Sequence, residues 1–419
     1  MSLSASAENE LEAVPERGLR VAVRAFKHRD FTLFWSSALV SSTGTWVQNT
    51  TVPFVVYDLT GSKSLIGITA FLNMFPTVLV GPLAGSLADR FPRRKVLMAT
   101  QISQATVAAV LWIVWLLGGD SVPALLVLVT FAAMASGLNI PAQQAYVTEL
   151  VPKRDLLNAI TLNSAQFNAA RAIGPAIAGV TLATAGAAWG FFLNAVSFLA
   201  VIVALMFIHT PDVHRERPEG TVRQQFVEGW RFVRAKREIM LCMAVVVLVA
   251  GLGMPVAQLM PVFAADVLHV GKQGYGLLAS ALGVGGIIAT PIIGGWGNVV
   301  RRSRLVVGGL LVYGLVLLSF AHAVNLPMAV VCIGIAGACF LAIISSLNTT
   351  VQLLVDERLR GRIMAIYVMS FTAAYPIGSL IQGAVADHLG APATTTIAAV
   401  ALLGVTIWVR AAKVFERLD

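Results

Sequence analysis

The feature that most constrains this chain is a series of long, continuous apolar stretches. The hydrocarbon core of a bilayer is about 30 Å thick and needs about 20 mostly apolar helical residues for each crossing. Continuous runs, without a period of two, predict membrane-spanning helices and argue against a β-barrel. The sequence holds twelve such stretches, at 31–57, 65–88, 96–118, 123–148, 157–184, 188–208, 239–265, 274–299, 305–322, 327–353, 362–386 and 393–411.

The composition also predicts a polytopic membrane protein. Hydrophobic residues make up 57% of the chain, charged residues make up 12%, and the mean hydropathy is +0.79, whereas soluble domains carry ~25% charged residues. Three cysteines in 419 residues argue against a secreted disulfide scaffold. Residues 1–30 contain several glutamates and no apolar core, so we do not expect a cleaved signal peptide.

The distribution of Lys and Arg predicts the orientation in the membrane. Of the 30 such residues, only Lys63 and Lys272 fall in the loops of one side, and only Arg171 falls in the interior of a predicted span, away from its ends. The rest lie on the other side, which the positive-inside rule assigns to the cytoplasm. We therefore expect a multi-pass protein of the cell (inner) membrane with both termini cytoplasmic. Because the cations are spread over many short segments, we expect no nucleic-acid partner.

The longest polar segment, 209–238, separates six predicted spans from six. Its second part places Val222, Phe226, Trp230 and Val233 on one helical face, which predicts a helix lying flat on the inner leaflet. A partly ordered linker is the alternative. The predicted regions are a cytoplasmic tail (1–30), a six-helix bundle (31–208), the linker with its interfacial helix (209–238), a second six-helix bundle (239–411) and a cytoplasmic tail (412–419).

The two predicted bundles resemble each other in sequence. Aligning the second half on the first places Pro82 on Pro291 and Gly85 on Gly294. Because six is an even number of crossings, the second copy starts from the same side as the first. The sequence therefore predicts a parallel repeat whose axis runs along the membrane normal.

Two motifs resemble those of a known family. The segment 85–95, between spans 2 and 3, resembles the signature loop of the major facilitator superfamily, although Pro92 stands where that family usually has Gly. Gly174, Pro175 and Gly179 in span 5 resemble the family's antiporter motif, and we expect them to kink the helix. Longer stretches resemble the enterobactin-exporter-like branch, also called transmembrane secretion effectors; they are 45–49, 57–62, 141–144, 149–152 and 156–168.

This resemblance implies an all-α major facilitator fold of twelve transmembrane helices in two six-helix bundles, with a gate at the cytoplasmic end. In the family, the Asp of the signature loop docks on the eleventh helix, and the Arg pairs with an acid that ends the fourth. Here those residues are Asp89, Arg93 and Glu149. The alternative is a cluster that serves topology alone. The expected gating residues are Gly85, Asp89, Arg90, Arg93, Arg94 and Glu149.

Polar side chains within the predicted spans indicate a central cavity. We expect Arg171, near the centre of span 5, to face it and to bind an anionic substrate group or a carboxylate such as Asp58. The alternatives are a structural ion pair at Arg171 and interhelical hydrogen bonds at each amide. The candidate cavity residues are Trp46, Gln48, Asn49, Asn139, Gln143, Asn168, Arg171, Asn348 and Gln352.

The resemblance implies a secondary active transporter that exports a small amphiphilic compound, such as a siderophore or a drug, in exchange for protons. No acid lies in the middle of a span, so the candidate proton sites are Asp58 and Asp266, near span ends. The sequence holds no nucleotide-binding, protease or hydrolase signature and no metal-ligand cluster, so we expect no enzyme and no cofactor. We expect a monomer that contacts membrane lipids. A lipid or lysolipid flippase, a non-transporting receptor and an importer remain alternatives.

Overall fold

The computed structural model describes residues 23–208, 222–296 and 302–411. The terminal segments 1–22 and 412–419 lie outside that description. Within the described ranges, the description leaves out the side chains of residues 82–90, 222–226, 290–296, 302 and 358. The described residues form an all-helical protein. The α-helices are α1 (Arg29–Thr60), α2 (Lys63–Arg90), α3 (Arg93–Leu116), α4 (Val122–Val147), α5 (Leu156–Thr184), α6 (Ala187–Phe207), α7 (Val222–Ala235), α8 (Arg237–Leu248), α9 (Val256–Val262), α10 (Gly271–Trp296), α11 (Arg302–Ala321), α12 (Leu326–Leu354), α13 (Glu357–Leu389) and α14 (Ala391–Ala411).

Short connections with clear end signals separate the long helices. Gly61 ends α1 in the left-handed conformation, with φ of 62°, which glycine adopts without steric cost. The side chains of Ser121 and Asn325 accept hydrogen bonds from backbone N–H groups in the first turns of α4 and α12. Such N-caps satisfy donors that would otherwise lack partners at a helix start.

Within the described residues, nine helical stretches are long and apolar enough to cross a membrane, and all nine coincide with predicted spans. The other three predicted spans, 31–57, 157–184 and 274–299, coincide with the long helices α1, α5 and α10. These three are not among the nine, so their membrane crossing stays a prediction.

The predicted seventh span, 239–265, is interrupted. After α8 the chain forms a π-helical turn at Val249–Gly253, continues as α9 and forms a second π-helical turn at Phe263–Val267. The sequence analysis predicted one regular helix here. Glycines at 251 and 253 and Pro255 weaken the regular hydrogen-bond ladder at the first turn, and π-helical turns are frequent at functional sites.

The two halves of the chain pack their helices in a matching order. In the first half, α1 packs against α5 and α6, α2 against α4, and α3 against α4 and α6. In the second half, α10 packs against α12, α11 against α12 and α14, and the π-helical turn after α8 against α13 and α14. This order is the one that a parallel repeat predicts. The main contacts between the halves are those of α5 with α10 and of α2 with α13.

The molecule has two ends of different character. We call the end with Arg93, Lys153 and Arg237 the basic end, and the end with the 61–62, 117–121 and 322–325 connections the opposite end. The halves meet closely at the opposite end. A Cβ atom at Gly67 would lie 3.2 Å from the Cα of Gly383, and one at Gly179 would lie 2.7 Å from the Cα of Gly276. These separations require glycine, because a side chain would force the helices apart.

Side chains also join the halves at the opposite end. Asp387, near the end of α13, accepts hydrogen bonds from the backbone N–H groups of Lys63 (2.7 Å) and Ser64 (2.9 Å) at the start of α2. The Tyr57 hydroxyl donates a hydrogen bond to Asp266. These contacts hold the two halves together at this end.

The amphipathic helix predicted within 209–238 is present as α7, whereas residues 209–221 lie outside the described part of the chain. This helix packs against α13, where Arg362 forms an ion pair with Glu228. Val233 is buried and Trp230 is 40% exposed. The exposed indole leaves an apolar surface on α7, as an interfacial helix would have, and the location on a membrane stays a prediction.

Candidate functional site

Two arginines tie the start of α3 to the ends of its neighbours at the basic end. Arg93 Nη1 lies 3.1 Å from Glu149 Oε1, and both side chains are largely buried. Arg94 Nε donates a hydrogen bond of 2.7 Å to the carbonyl of Leu205, in the last turn of α6. Cations are favoured beside the carbonyls that end a helix. The ion pair of Arg93 with Glu149, which the family resemblance implied, is therefore formed. Three other expected gating residues lie on α2 with side chains outside the described part, namely Gly85, Asp89 and Arg90.

A second charged cluster at the basic end was not predicted. Asp155, before α5, lies 2.8 Å from His28 Nε2 and 3.0 Å from Arg24 Nε. The hydrogen bond with His28 holds the pKa of the Asp155 carboxyl below its ordinary value, opposed by burial and aided by the charge of Arg24. The backbone N–H of Ala25 donates to Asn158 Oδ1 at 2.8 Å. Residues 24–28 are thereby attached to the start of α5.

Two candidate cavity residues have their amides occupied inside the first half. Gln48 is 7% exposed and accepts a hydrogen bond of 2.8 Å from Asn194 on α6. Asn139 is 8% exposed and accepts from Thr100 (2.9 Å) and Gln101 (3.2 Å) on α3. These amides lie in the interior and link neighbouring helices, which was the alternative for each of them.

The other candidate amides keep some exposed surface. Asn49 accepts a hydrogen bond from Asn73 on α2, and Gln143 accepts one from Asn139, each at 3.3 Å. Asn168 donates to the Ser164 carbonyl at 3.0 Å, and Gln352 donates to Asn348 Oδ1 at 2.6 Å. The bonds of Asn168 and Gln352 are local to their own helices, so these amides do not join helices.

One face of α5 is exposed near the basic end and becomes enclosed at the middle of the helix. Ile160 is 46% exposed, Ser164 is exposed and Phe167 is 52% exposed, whereas Arg171 is only partly exposed and Pro175 is buried. These positions follow the spacing of one helical face. This face is therefore accessible near the basic end, and its accessible part ends at Arg171.

Arg171 lies where the two halves meet. Its guanidinium carbon lies 5.7 Å from the ring centroid of Trp46, a cation–π arrangement, and its Nη2 lies 4.0 Å from Met254 Sδ. The hydroxyl groups of Tyr313 and Tyr375 lie within electrostatic range of the guanidinium. The neighbours of Arg171 thus come from α1 in the first half and from three helical segments of the second.

No Asp or Glu within the described ranges lies within ion-pair distance of Arg171. Asp58, the carboxylate first expected there, is exposed near the end of α1. Asp266 accepts its hydrogen bond from Tyr57 at the opposite end. The predicted pairing of Asp58 with Arg171 is absent from this structure, and the buried-ion-pair alternative is absent with it.

Helix α5 runs continuously through Gly174 and Pro175, and the kink expected at these residues stays a prediction. Gly174 serves close packing, because a Cβ atom there would lie 2.4 Å from the Cβ of Trp46. The same holds for Gly179 against α10. These residues let α5 approach its two neighbours and keep the indole of Trp46 beside Arg171.

Comparisons with known proteins identify the family. The family model described as transmembrane secretion effector matches residues 21–417. The chain belongs to this family. The resemblance to the major facilitator superfamily is thereby confirmed: this chain is an integral membrane transporter of that superfamily, whose proteins act on small molecules and are not enzymes.

Several characterised transporters are similar over most of their length. The multidrug efflux pump Tap of Mycobacterium tuberculosis is 28% identical over 375 residues, covering 85% of this chain and 87% of the relative. The staphyloferrin A transporter of Staphylococcus aureus is 23% identical, covering 89% and 94%. The macrolide efflux protein A of Streptococcus pyogenes is 22% identical, covering 86% and 90%.

Solved structures show the same fold. A bacterial homolog of the human lysosomal transporter Spinster, in an inward-facing and unoccupied conformation, has a TM-score of 0.75 at 15% identity, covering 93% of this chain and 98% of the other. The nucleoside transporter NupG has a TM-score of 0.74 at 13% identity, covering 91% and 98%. Both likenesses place this transporter in the major facilitator fold.

Sequence reasoning missed several residues that organise this transporter. Asp387 lies in the last turn of α13, where the helix dipole disfavours an anion, so an acid at that position was itself a signal of an outside partner. Tyr375 and Gln258, which are joined by a hydrogen bond, gave no signal because each lies alone in an apolar stretch.

Proposed function

We propose that this chain is a proton-driven exporter of a small amphiphilic compound that works by alternating access. The observation that carries the proposal is the α5 face that opens towards the basic end and closes at Arg171, while the halves are joined at the opposite end. A site that is accessible from one side only is one of the two states that alternating access requires. The names of the relatives, two efflux proteins among them, favour export.

The orientation follows from the loop charges. If the basic end is cytoplasmic, as the positive-inside rule requires, the open cavity faces the cytoplasm and both termini are cytoplasmic. We assign all twelve predicted spans to the membrane, in two six-helix bundles at 31–208 and 239–411, and expect the protein to act as a monomer in the cell membrane. The polar side chains of α1 and α5 fit helices that line a cavity.

We assign the ion pair of Arg93 with Glu149 to the gate at the cytoplasmic end. This pair and the hydrogen bond from Arg94 to α6 support the turn that carries Asp89. In the outward-open state, Asp89 would dock on the start of α13, and Gly85 and Arg90 would complete the contact. An anion at a helix N-terminus is favoured by up to ~2 kcal/mol in a partly buried position.

We propose Asp266 as the group that takes up the driving proton, with Asp58 as the second candidate. Asp266 accepts a hydrogen bond across the halves from Tyr57. A protonated carboxyl is a weaker acceptor, because hydrogen bonds to a charged group are the stronger ones. Protonation from outside would therefore weaken a contact that keeps the opposite end closed.

Transport in reconstituted vesicles tests this proposal. Purified full-length protein in vesicles with an imposed pH gradient is offered staphyloferrin A, erythromycin, ethidium and a fluorescent phospholipid. We expect gradient-dependent movement of at least one soluble compound, abolished by a protonophore. Movement of the phospholipid alone would instead indicate a flippase, and no gradient-dependent movement would contradict the proposal.

A reversible lock tests alternating access directly. Ser62 Oγ lies 3.3 Å from Asp387 Oδ2, so these two side chains meet across the halves, and cysteines there can be joined by a disulfide or by a short bifunctional reagent. We expect oxidation of the double variant to stop transport and reduction to restore it relative to the two single-cysteine controls. Transport that continues through the oxidised pair would contradict the rocking movement.

A further inference from the structure

The guanidinium of Arg171 has donors that no described residue uses. It carries five N–H donors, yet its contacts are the sulfur of Met254, a weak acceptor, and the face of the Trp46 ring. A charge in the middle of a membrane protein is costly unless it meets water or an opposite charge. Its partial exposure at the inner limit of the cavity leaves it accessible to a ligand.

From this we infer that the transported compound carries an anionic group, such as a carboxylate, which binds Arg171 between the two halves. The inference rests on the proposed transport function and names its substrate class. A carboxylate accepts two parallel hydrogen bonds from a guanidinium, which adds geometric specificity to charge attraction. An amphiphilic cation would instead face an unneutralised positive charge, so this site selects against cations.

A second polar side chain lies close to the same place. Gln258 Nε2 donates a hydrogen bond to the Tyr375 hydroxyl oxygen, and Ser379 is a second hydrogen-bond partner of that hydroxyl. Tyr375 lies within electrostatic range of Arg171. Polar groups of both halves therefore lie near the place where the anion would bind.

The remaining surroundings are apolar. Phe167 packs edge-on against Trp46, with ring centroids 6.0 Å apart, and Met254 borders a small apolar cavity that Met260 also lines. Methionine side chains adapt to different apolar shapes. The site thus offers a cation beside an aromatic and thioether wall, which fits a compound that joins an anionic group to an apolar part.

The placement of the site gives the anion a role in the transport cycle. Arg171 and Trp46 belong to the first half, and Met254 and Tyr375 to the second. A ligand that contacts both halves shifts their equilibrium only if it binds one arrangement better than the other. An anion bound to Arg171 meets this condition, because Arg171 lies where the two halves meet and Met254 of the second half borders it.

Matched small molecules test the charge requirement. We would measure binding to the purified full-length protein by calorimetry and by thermal unfolding, with 1-naphthaleneacetate, its neutral amide 1-naphthaleneacetamide, the cation 1-naphthylmethylamine, and citrate. The variants are Arg171→Gln and Arg171→Lys. Lys236→Gln is the control, because Lys236 also lies over an aromatic ring, that of Phe232, but sits at the basic end.

We expect at least one carboxylate to bind the wild type and the control alike, and the amide and the amine to bind more weakly. Arg171→Gln should weaken carboxylate binding roughly ten- to one-hundredfold, and Arg171→Lys should weaken it less. Should Arg171→Gln fail to fold, Arg171→Lys keeps the comparison, because an ammonium loses the bidentate geometry and keeps the charge.

Equal binding of acid and amide, carboxylate binding that survives in folded Arg171→Gln, or no binding by either carboxylate would overturn the inference. The vesicle experiment separates this failure from failure of the proposed function. Gradient-driven movement of ethidium or erythromycin, which are cations, without movement of staphyloferrin A would retain transport and reject the anion. Carboxylate binding without gradient-driven movement would retain the anion and reject proton-driven export.

Discussion

The carboxylate of Asp387 should set how tightly the opposite end closes. It accepts hydrogen bonds from two backbone N–H groups, those of Lys63 and Ser64, and lies 3.3 Å from the Ser62 hydroxyl. Asp387→Asn removes the charge and keeps one acceptor oxygen and nearly the same shape. Because the group is exposed, we take ~1 kcal/mol for an anion at a helix N-terminus. An energy of that size changes the ratio of closed to open molecules about fivefold.

Distances between spin labels report this ratio. Labels at Leu117 and Val324, which are 80% and 84% exposed, mark the two halves at the opposite end. We expect Asp387→Asn to increase the population with a long label distance. Added salt should also increase the population with a long label distance in the wild type, because salt screens the exposed charge of Asp387.

Asp120→Asn is the matched control, since it removes one exposed acid from a loop at the same end. It should leave the distance distribution unchanged. An unchanged distribution in Asp387→Asn as well would refute the reasoning, because the carboxylate would then contribute nothing to closure.

Four other substitutions have expected outcomes. Arg93→Gln should lower the thermal unfolding temperature by breaking a largely buried ion pair, at a cost of roughly 1–3 kcal/mol, and Glu149→Gln should cost about as much; a neutral effect of both would contradict a structural role. Asp155→Asn should speed amide hydrogen exchange of residues 24–28 at neutral pH. Since the pKa of Asp155 is lowered in the folded protein, its contribution is present above the ordinary Asp value of about 3.9 and is lost as the pH falls through the folded value. The protection of these amides should therefore be alike in wild type and variant at low pH, and a difference that persists there would contradict the assignment. Gln48→Leu should destabilise the protein by about 1–3 kcal/mol and leave carboxylate binding unchanged, whereas lost binding in the folded variant would return Gln48 to the cavity.

The sequence was sufficient for features that depend on local composition. Apolar runs predicted the helices to within a few residues, and the predicted pair of Arg93 with Glu149 is formed. The direction in which a side chain points from its helix was harder to predict. Gln48 lies one residue from Asn49 in sequence, yet it points into the first half, because neighbouring residues on a helix differ by about 100°.

Long-range contacts could not be read from the sequence. Asp387 and Lys63 are joined across the two halves, and no local pattern at either position names the other. The π-helical turn at Val249–Gly253 was likewise missed, because glycine and proline are common within membrane helices and do not show which ladder results. Both features arise from tertiary packing, which decides among locally equivalent conformations.

The glycine contacts between the halves limit how this gene can change. Gly67 with Gly383, and Gly179 with Gly276, meet backbone to backbone. Every nucleotide substitution that replaces a glycine adds at least one carbon, and none of the four positions has room for it. A single such mutation therefore cannot be neutral for closure. The facing residue is itself a glycine and cannot become smaller to make room. The contact between the halves therefore cannot be tightened further by single substitutions. Sequence divergence among proteins that descend from this gene should be concentrated on the cavity walls, where side chains can be exchanged without moving a helix.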